Sequence, residues 1–416
     1  MNQTLTVRAA MPRARDTRLV FSLLEGLRGG LLEIRLPDGT SGLFGDGEHG
    51  LVMQVRDEAV FGRVLARGDI GLAESFLDGQ WECSDLTALL TLLARNRDVL
   101  GRAVYGAWRG LLAARLRHWL NGNSRRGSAR NIMAHYDLGN DFYALWLDPG
   151  MSYSSALFGE TNVGRAGTKE TGATENGSPD ALFAAQQAKY RRILDRLAAH
   201  AGQRVLEIGC GWGGFAELAV ADGLAVTGLT LSPAQLEWAR RRVPQAELRL
   251  QDYRETGKSG ERYDHVVSIE MFEAVGERYW PDYFRTIAAV LKPGGRALIQ
   301  SIVIADELFA RYRRGTDFIQ QYVFPGGMLP SRTVFREAAQ KQGLQVSGEF
   351  AFGLDYARTL ACWRDAFEAN WPRIAALGFD ERFRRLWRMY LAYCEAGFLS
   401  GNVDVVQFEV GKVEHR

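Results

Sequence analysis

The chain has 416 residues, 46% of them hydrophobic and 24% charged, with 51 basic against 49 acidic side chains and a formal net charge of +2. This length and composition exclude a disordered chain, a coiled coil and a collagen-like repeat, and predict two or three domains with a large core. No apolar run reaches the ~18 residues of a spanning helix, and nucleic acid is not expected as a partner.

The opening MNQTLTVRAAMPRAR carries positive charge but no apolar segment, so no secretory signal is expected. Cys83, Cys210, Cys362 and Cys394 lie far apart, which predicts neither a disulfide framework nor a zinc site; no metal is expected, and the reducing cytoplasm is the expected compartment. Arg outnumbers Lys 45 to six, a bias that a GC-rich genome produces and that also suits phosphate contact.

Residues 1–100 read as a small α/β domain. LLEIRLPDGTSGLFG predicts two strands around Pro37-Asp38-Gly39, and a third strand runs from Leu51 to Val55. FGRVLARGDIGLAESFLDG mixes helix with a Gly-punctuated loop, and SDLTALLTLLARNRDVL starts a helix with Ser84 as its N-cap. Residues 101–130 hold seven Arg and no acid. There Val104, Trp108, Leu111, Leu112, Trp119 and Leu120 recur at helical spacing, with Arg102, Arg109 and Arg117 mostly on other faces. Two readings stand side by side: an interfacial helix on anionic lipid, or a linker helix packed on the catalytic domain. Residues 159–179 are Gly/Thr-rich and read as a mobile loop.

From about residue 180 helices and short apolar strands alternate: RVLEIGC, LAVTGLTL, AELRLQDY, YDHVVSIE and RALIQSIVI. That alternation predicts a parallel sheet with crossover helices and a ligand at the C-terminal strand edge. The strand ending in Glu207-Ile208 runs into Gly209-Cys210-Gly211-Trp212-Gly213-Gly214, a turn whose glycines let a ligand approach the backbone. The same turn serves several nucleotides. Glu207, and the lack of a third phosphate-facing Gly, favour S-adenosylmethionine (SAM). The second strand ends in Thr230-Leu231-Ser232, where a nicotinamide enzyme would place an acid. The third ends in Asp252-Tyr253-Arg254, an acid and an aromatic placed for an adenine.

These phrases, with His135-Tyr136-Asp137-Leu138-Gly139-Asn140-Asp141-Phe142-Tyr143, Tyr153-Ser154-Ser155-Ala156, Met271-Phe272-Glu273-Ala274-Val275-Gly276, Tyr322-Val323-Phe324-Pro325-Gly326-Gly327, Tyr356-Ala357-Arg358-Thr359-Leu360 and Cys394-Glu395-Ala396-Gly397-Phe398, resemble the cyclopropane fatty acid synthases and their mycolic acid relatives. The resemblance runs from about 131 to the C-terminus. It implies a Rossmann-like SAM-dependent methyltransferase domain over 131–416, behind a small N-terminal α/β domain that faces lipid. It implies SAM held by Tyr153, Ser154, the Gly209–Gly214 turn with Cys210, Gly211, Trp212 and Gly213, the segment Thr230, Leu231, Ser232 to Gln235, and Tyr253 and Arg254, beside the Glu207 and Asp252 read above. The implied substrate is a cis double bond in an acyl chain of a membrane phospholipid, met peripherally at the inner face of the cell membrane. Self-association into a homodimer stays open.

The implied chemistry passes a methyl group from a sulfonium to an alkene and leaves a carbocation. Such a site excludes water and offers aromatic faces; Tyr136, Phe142, Tyr143, Tyr322, Phe324, Tyr356 and Trp363 are candidates, although core packing explains most of them as well. Ring closure needs a base. In the family this is a bound bicarbonate, whose ligands fall here on Ser155, Glu273, Gln300, Ile302 (main chain) and Tyr356. The synthases usually have Cys where this chain has Ser155 and His where it has Gln300. Glu273 is then the one strong base among the matched positions. Cys394 matches a cysteine of the family pattern; since the chemistry needs no thiol nucleophile, packing near the site is its expected role. Three readings follow: a cyclopropane synthase; a C-methyltransferase giving a methylene- or methyl-branched chain, which Ser155 and Gln300 favour; and a lipid carrier with a relic methyltransferase fold, which the intact Gly-rich turn disfavours.

Overall fold

The computed structural model describes residues 14–47, 50–104, 138–159 and 179–413. The chain forms two compact units. Of the described residues, the first joins 14–104 with 315–323 and 378–402; the second takes 138–159, 179–314, 324–377 and the C-terminal strand from 403. The expected division at about residue 100 therefore differs from the structure: two later segments, expected inside the catalytic domain, belong to the first unit.

In the first unit β1 (Leu31–Arg35), β2 (Ser41–Gly45), β3 (Gly50–Val55) and β4 (Trp81–Cys83) form a sheet in the order β2-β1-β3-β4. The β1–β2 turn is set by Gly39 at φ +85° and by the Asp38 carboxylate, which accepts the Thr40 N–H at 2.9 Å. The three-residue β4 is too short for a periodic signal, yet it sets the fully buried Trp81 into the core. The expected Gly-punctuated loop is instead two helices, Ala59–Arg67 and Asp69–Leu77, joined by Gly68 alone. Gly68 sits at φ 61°, ψ −131°, a conformation open almost only to glycine. Gly68→Ala should lower stability by about 1–3 kcal/mol, read as a lower melting temperature, with both helices retained.

The cap of helix Leu86–Arg95 is Asp85, which accepts the Ala88 N–H at 2.9 Å, and not Ser84, whose hydroxyl accepts the Val52 N–H at 3.1 Å. Helix Glu381–Leu399 completes this unit. Arg385 donates to the Phe76 carbonyl at 2.8 Å and pairs with Glu82, Thr87 donates to Glu395 at 3.0 Å, and Tyr393 donates to Asp69 at 2.8 Å.

The second unit holds β5 (Arg204–Ile208), β6 (Ala225–Thr230), β7 (Glu247–Leu250), β8 (Tyr263–Ile269), β9 (Leu291–Ile304), β10 (Leu344–Ala351) and β11 (Val403–Lys412), in the order β10-β11-β9-β8-β5-β6-β7. Strands β5 to β9 are parallel, as their apolar runs predict, while β11 runs antiparallel to both β9 and β10, so the sheet is mixed. The chain leaves β5 in one direction to β6 and later returns to its other side with β8. This reversal opens a crevice at the C-terminal end of β5, the usual ligand place in such sheets. Two apolar clusters build the core: Leu206, Tyr263, Phe272, Phe284, Ile299, Phe335 and Phe408 in one, and Ile193, Leu194, Val205, Phe215, Val267 and Leu298 in the other.

No described helix is long and apolar enough to cross a membrane. The basic segment lies outside the described residues beyond Val104, as do His135, Tyr136 and nearly all of the Gly/Thr-rich stretch.

Candidate active site

The Gly-rich turn stands at the C-terminal end of β5. Gly209 (φ +88°) and Cys210 both donate their N–H groups to the Leu229 carbonyl, at 2.9 and 2.8 Å, which ties the turn to the end of β6. Gly211 takes φ +51°, and Gly213 (φ +86°) precedes helix Gly214–Ala221. A Cβ placed on Gly211 would meet nothing within 4 Å, so this face of the turn is open. Trp212 is buried, and its indole N–H donates to Asn140 at 2.8 Å. Cys210 is buried as well, and burial pushes its thiol up, out of reach of the thiolate form.

Around the turn, the Thr230 hydroxyl donates to Gln235 at 3.0 Å, and Ser232 caps helix Pro233–Arg242. Leu231, between them, is half-buried. Asp252 caps the short helix Tyr253–Thr256 and takes Arg254 in a bidentate pair with bonds of 2.8 and 2.5 Å. Arg254 is thus already satisfied by its neighbour, and Tyr253 packs edge-on against Tyr283.

The residues present fit SAM. Glu207 is buried, and its Oε2 has no hydrogen-bond partner among the described residues, so a ligand hydroxyl or ammonium would satisfy it. Burial pushes this carboxyl up to about 8, against the opposing pull of Lys189 and Arg242. Donors from a bound ligand favour the ionised form, so binding should release a proton and tighten as pH rises towards about 8, by at most about tenfold per pH unit. Glu207→Gln should flatten that dependence in calorimetric titrations across this range.

A second group of side chains gathers between the ends of β8 and β9 and the Tyr153–Ala156 segment. Its centre is Glu270, which the sequence reading passed over. One oxygen of its carboxylate accepts the Ser155 N–H at 2.8 Å and the Gln300 Nε2–H at 2.7 Å; the other accepts the Tyr356 hydroxyl at 2.5 Å. Three of the expected bicarbonate ligands therefore point at a carboxylate of this chain. The Ser155 hydroxyl itself donates to the Ala156 carbonyl at 3.0 Å, so Ser155 contributes its backbone here. The Ile302 N–H donates to Glu273, the other expected ligand pair. Burial, and then the Glu270 charge, push Glu273 up to about 8. Glu273 thus does not stand alone: a second carboxylate, Glu270, lies close enough to raise it.

Two groups bear on Glu270, one through charge and one through hydrogen bonds. Lys189, fully buried, donates to the Ser154 hydroxyl and to Gln186 Oε1, both at 2.5 Å. Burial pushes its ammonium down to about 8, while Glu270, Asp148 and Glu207 pull it back up. On the other side runs a relay. Arg192, a donor only, bonds Gln407 Oε1; Gln407 Nε2 donates to Gln300 Oε1 at 3.0 Å; this leaves Gln300 Nε2 to donate to Glu270. Lys189, Gln407 and Arg192 were also missed. The signal for Lys189 is its place on the buried stripe of helix Pro179–Leu197, beside Gln186 and Tyr190.

Aromatic rings pack together in the same unit. Tyr153 lies 5.5 Å from Tyr143, 5.6 Å from Trp146 and 5.3 Å from Trp363, between ring centroids, and Tyr143 lies 5.1 Å from Trp212. Phe142, Tyr143, Tyr356 and Trp363 of the aromatic candidates are in this unit, as is Phe324. Tyr322 belongs to the first unit, where it stacks on Phe318 and bonds Glu74. Cys394 belongs there too, and burial together with the Asp317 carboxylate pushes its thiol up, so it is no ready nucleophile.

Residues 123–408 match the family of mycolic acid cyclopropane synthetases. The chain is 39% identical over 361 residues to the tuberculostearic acid methyltransferase UfaA1 of Mycobacterium tuberculosis, covering 85% of this chain and 81% of that protein. It is 32% identical over 373 residues to the cyclopropane-fatty-acyl-phospholipid synthase of Escherichia coli, covering 85% and 86%. Among solved structures, mycolic acid cyclopropane synthase CmaA1 complexed with SAH and CTAB superposes with a TM-score of 0.59 at 31% identity, over 68% of this chain and 98% of that one.

Proposed function

This chain belongs to the mycolic acid cyclopropane synthetase family and is a SAM-dependent methyltransferase, and we propose that it adds one carbon to the cis double bond of an unsaturated acyl chain on a membrane phospholipid. The observation that carries this reading is the presence, in one unit, of the open glycine turn, a packed aromatic cluster of Tyr143, Trp146, Tyr153 and Trp363, and two half-buried carboxyls, Glu270 and Glu273. Bound SAM supplies a methyl group activated by the positive sulfur. The chain's own residues supply the rest. Aromatic faces stabilise positive charge developing on the acyl chain. The tight ring packing excludes water that would trap it. A carboxylate takes the proton that the product must lose.

Two relatives support the class of reaction: one is named a tuberculostearic acid methyltransferase, the other a cyclopropane-fatty-acyl-phospholipid synthase. The branched, ring-free product is favoured by the same departures that separate this site from the expected one. The Ser155 N–H, Gln300 and Tyr356 all bond the Glu270 carboxylate. Peripheral docking at the inner face of the cell membrane, through the basic segment 101–130, belongs to this reading, as does work in the cytoplasm.

The test is direct. The protein is incubated with methyl-labelled SAM and vesicles of unsaturated phospholipid, and the lipids are analysed by gas chromatography with mass spectrometry. Ring and methylene products are isomers, so a portion is mildly hydrogenated, which saturates a methylene branch and spares a ring. Labelled lipid is expected, and the branched form should take up hydrogen. Label confined to solvent or to the protein would remove the lipid reading. Changing Arg102, Arg109 and Arg117 together to Gln should weaken co-sedimentation with anionic vesicles by about 1 kcal/mol per Arg at low salt. Unchanged sedimentation would make the segment a linker only.

A further inference from the structure

Helix Pro179–Leu197 places two polar side chains, Gln186 and Lys189, at fully buried positions one turn apart. Burying such groups costs stability unless their polar atoms are matched. Here the matches converge on Ser154. Lys189 has three hydrogens to give. One goes to the Ser154 hydroxyl and one to Gln186 Oε1, both at 2.5 Å, while the ammonium lies 4.4 Å from the centre of the Tyr190 ring.

Because an ammonium only donates, the end of the Gln186 amide that faces it is the oxygen. The Nε2–H is thereby turned towards Ser154, and it donates to the Ser154 carbonyl at 2.9 Å. Ser154 is thus held at its backbone and at its side chain together. Its hydroxyl oxygen accepts from Lys189, which leaves the hydroxyl its proton to give. The triangle of Lys189, Gln186 and Ser154 sets the serine as a hydrogen-bond donor. The segment around it has other ties to the same helix. The Tyr190 hydroxyl donates to the Ser152 hydroxyl at 3.0 Å, and the Leu157 N–H donates to the Ala185 carbonyl at 3.1 Å. Those ties fasten the segment without Gln186, and an unbranched apolar side chain of similar volume would fill the same place. What the amide adds is the orientation of Ser154.

We propose that Gln186 is a positioning residue for cofactor binding: with Lys189 it holds Ser154 so that the hydroxyl gives its proton to an acceptor on SAM. The acceptor is a carboxylate or hydroxyl oxygen, both of which SAM carries. The proposal rests on the reading of this unit as a SAM site, and Gln186 acts in it through Ser154.

The experiment is a double-substitution cycle on the full-length protein: the parent, Gln186→Met, Ser154→Ala and the pair. Calorimetry reads binding of SAM and of S-adenosylhomocysteine, and circular dichroism with thermal melting reads the fold. Gln186→Met should weaken both ligands by about tenfold, and Ser154→Ala by a similar factor. With Ser154→Ala already present, Gln186→Met should change affinity by less than about twofold, because the group it acts through is gone. A residue that merely packs would cause the same loss in both backgrounds. Gln186→Glu is the second variant. It still accepts from Lys189, so the buried cation stays matched, but it sets an oxygen against the Ser154 carbonyl. It should melt no lower than Gln186→Met and still lose about tenfold for S-adenosylhomocysteine, which lacks the sulfonium that an added carboxylate would attract. This variant carries the cycle where Gln186→Met does not fold.

A folded Gln186→Met or Gln186→Glu protein within about threefold of the parent for S-adenosylhomocysteine would overturn the proposal. So would Ser154→Ala binding as tightly as the parent, or equal losses in the two backgrounds. Failure of the lipid reading looks different. A parent that binds SAM yet methylates no lipid removes that reading and leaves the cycle to decide on Gln186, whereas a parent that binds neither ligand overturns this proposal together with the cofactor site.

Discussion

Gly211→Val should abolish SAM binding in a protein that remains folded. Gly211 lies at φ +51°, and a Cβ there meets no protein atom within 4 Å, so the valine side chain enters open space over the turn. The left-handed backbone costs about 1–2 kcal/mol, small beside a domain stability of roughly 5–15 kcal/mol. What the valine fills is the volume that a nucleoside needs against the backbone. Gly209→Val is the harsher change, since its Cβ would come within 3.0 Å of Met271 Cγ at φ +88°, and it should lose stability together with binding. Calorimetry with circular dichroism separates the two. A folded Gly211→Val protein that binds SAM within about tenfold of the parent, about 1.4 kcal/mol, would move the cofactor elsewhere.

Lys189→Met should destabilise the second unit by about 3–5 kcal/mol near neutral pH, because it strands buried carboxylates without their cation. Lys189 faces Glu270, Asp148 and Glu207, and burial raises all three carboxyls above their ordinary values. A carboxyl raised in the folded protein contributes less stability as pH rises from its unfolded value through its folded one. Removing the cation raises these carboxyls further. The deficit should therefore shrink on acidification, as the carboxyls protonate and no longer need Lys189. Denaturant unfolding near pH 7 and near pH 5 reads this directly, and a deficit under about 1 kcal/mol near neutrality would mean that the ammonium is not balancing these charges.

Much of the second unit was legible because parallel strands buried on both faces read as continuous apolar runs. β5, β6, β7 and β8 emerged this way, together with the second half of β9. β10 and β11 did not. β10 alternates at the sheet edge, and β11 carries Gln407 at a fully buried position, which reads as a surface strand until its amide partners are known.

The cofactor turn was readable because its glycines answer to backbone conformation, a local property. Glu270 was not. An acid straight after a strand is common on surfaces, and only the convergence of Ser155, Gln300 and Tyr356 shows that Glu270 points inward. Its one sequence signal was position: an acid at the C-terminal end of a parallel strand, where such sheets hold ligands. The Ser155 and Gln300 departures, visible from the start, make sense once a glutamate stands between them.

The first unit has a consequence for how the protein is made. Its sheet and early helices lie within the first hundred residues, yet Asp69, Thr87 and Glu82 find their partners in Tyr393, Glu395 and Arg385, some three hundred residues later. Domains generally fold in the order in which a ribosome delivers them, N-terminal first. Here the part synthesised first must wait for nearly the whole chain before its last helix arrives. Until then its docking face stays bare to chaperones and neighbouring nascent chains, and contacts of such long sequence separation slow its closure. A stop codon placed before residue 378 would thus deprive both ends of the molecule: the second unit of its β11 strand, and the first of the helix that finishes it.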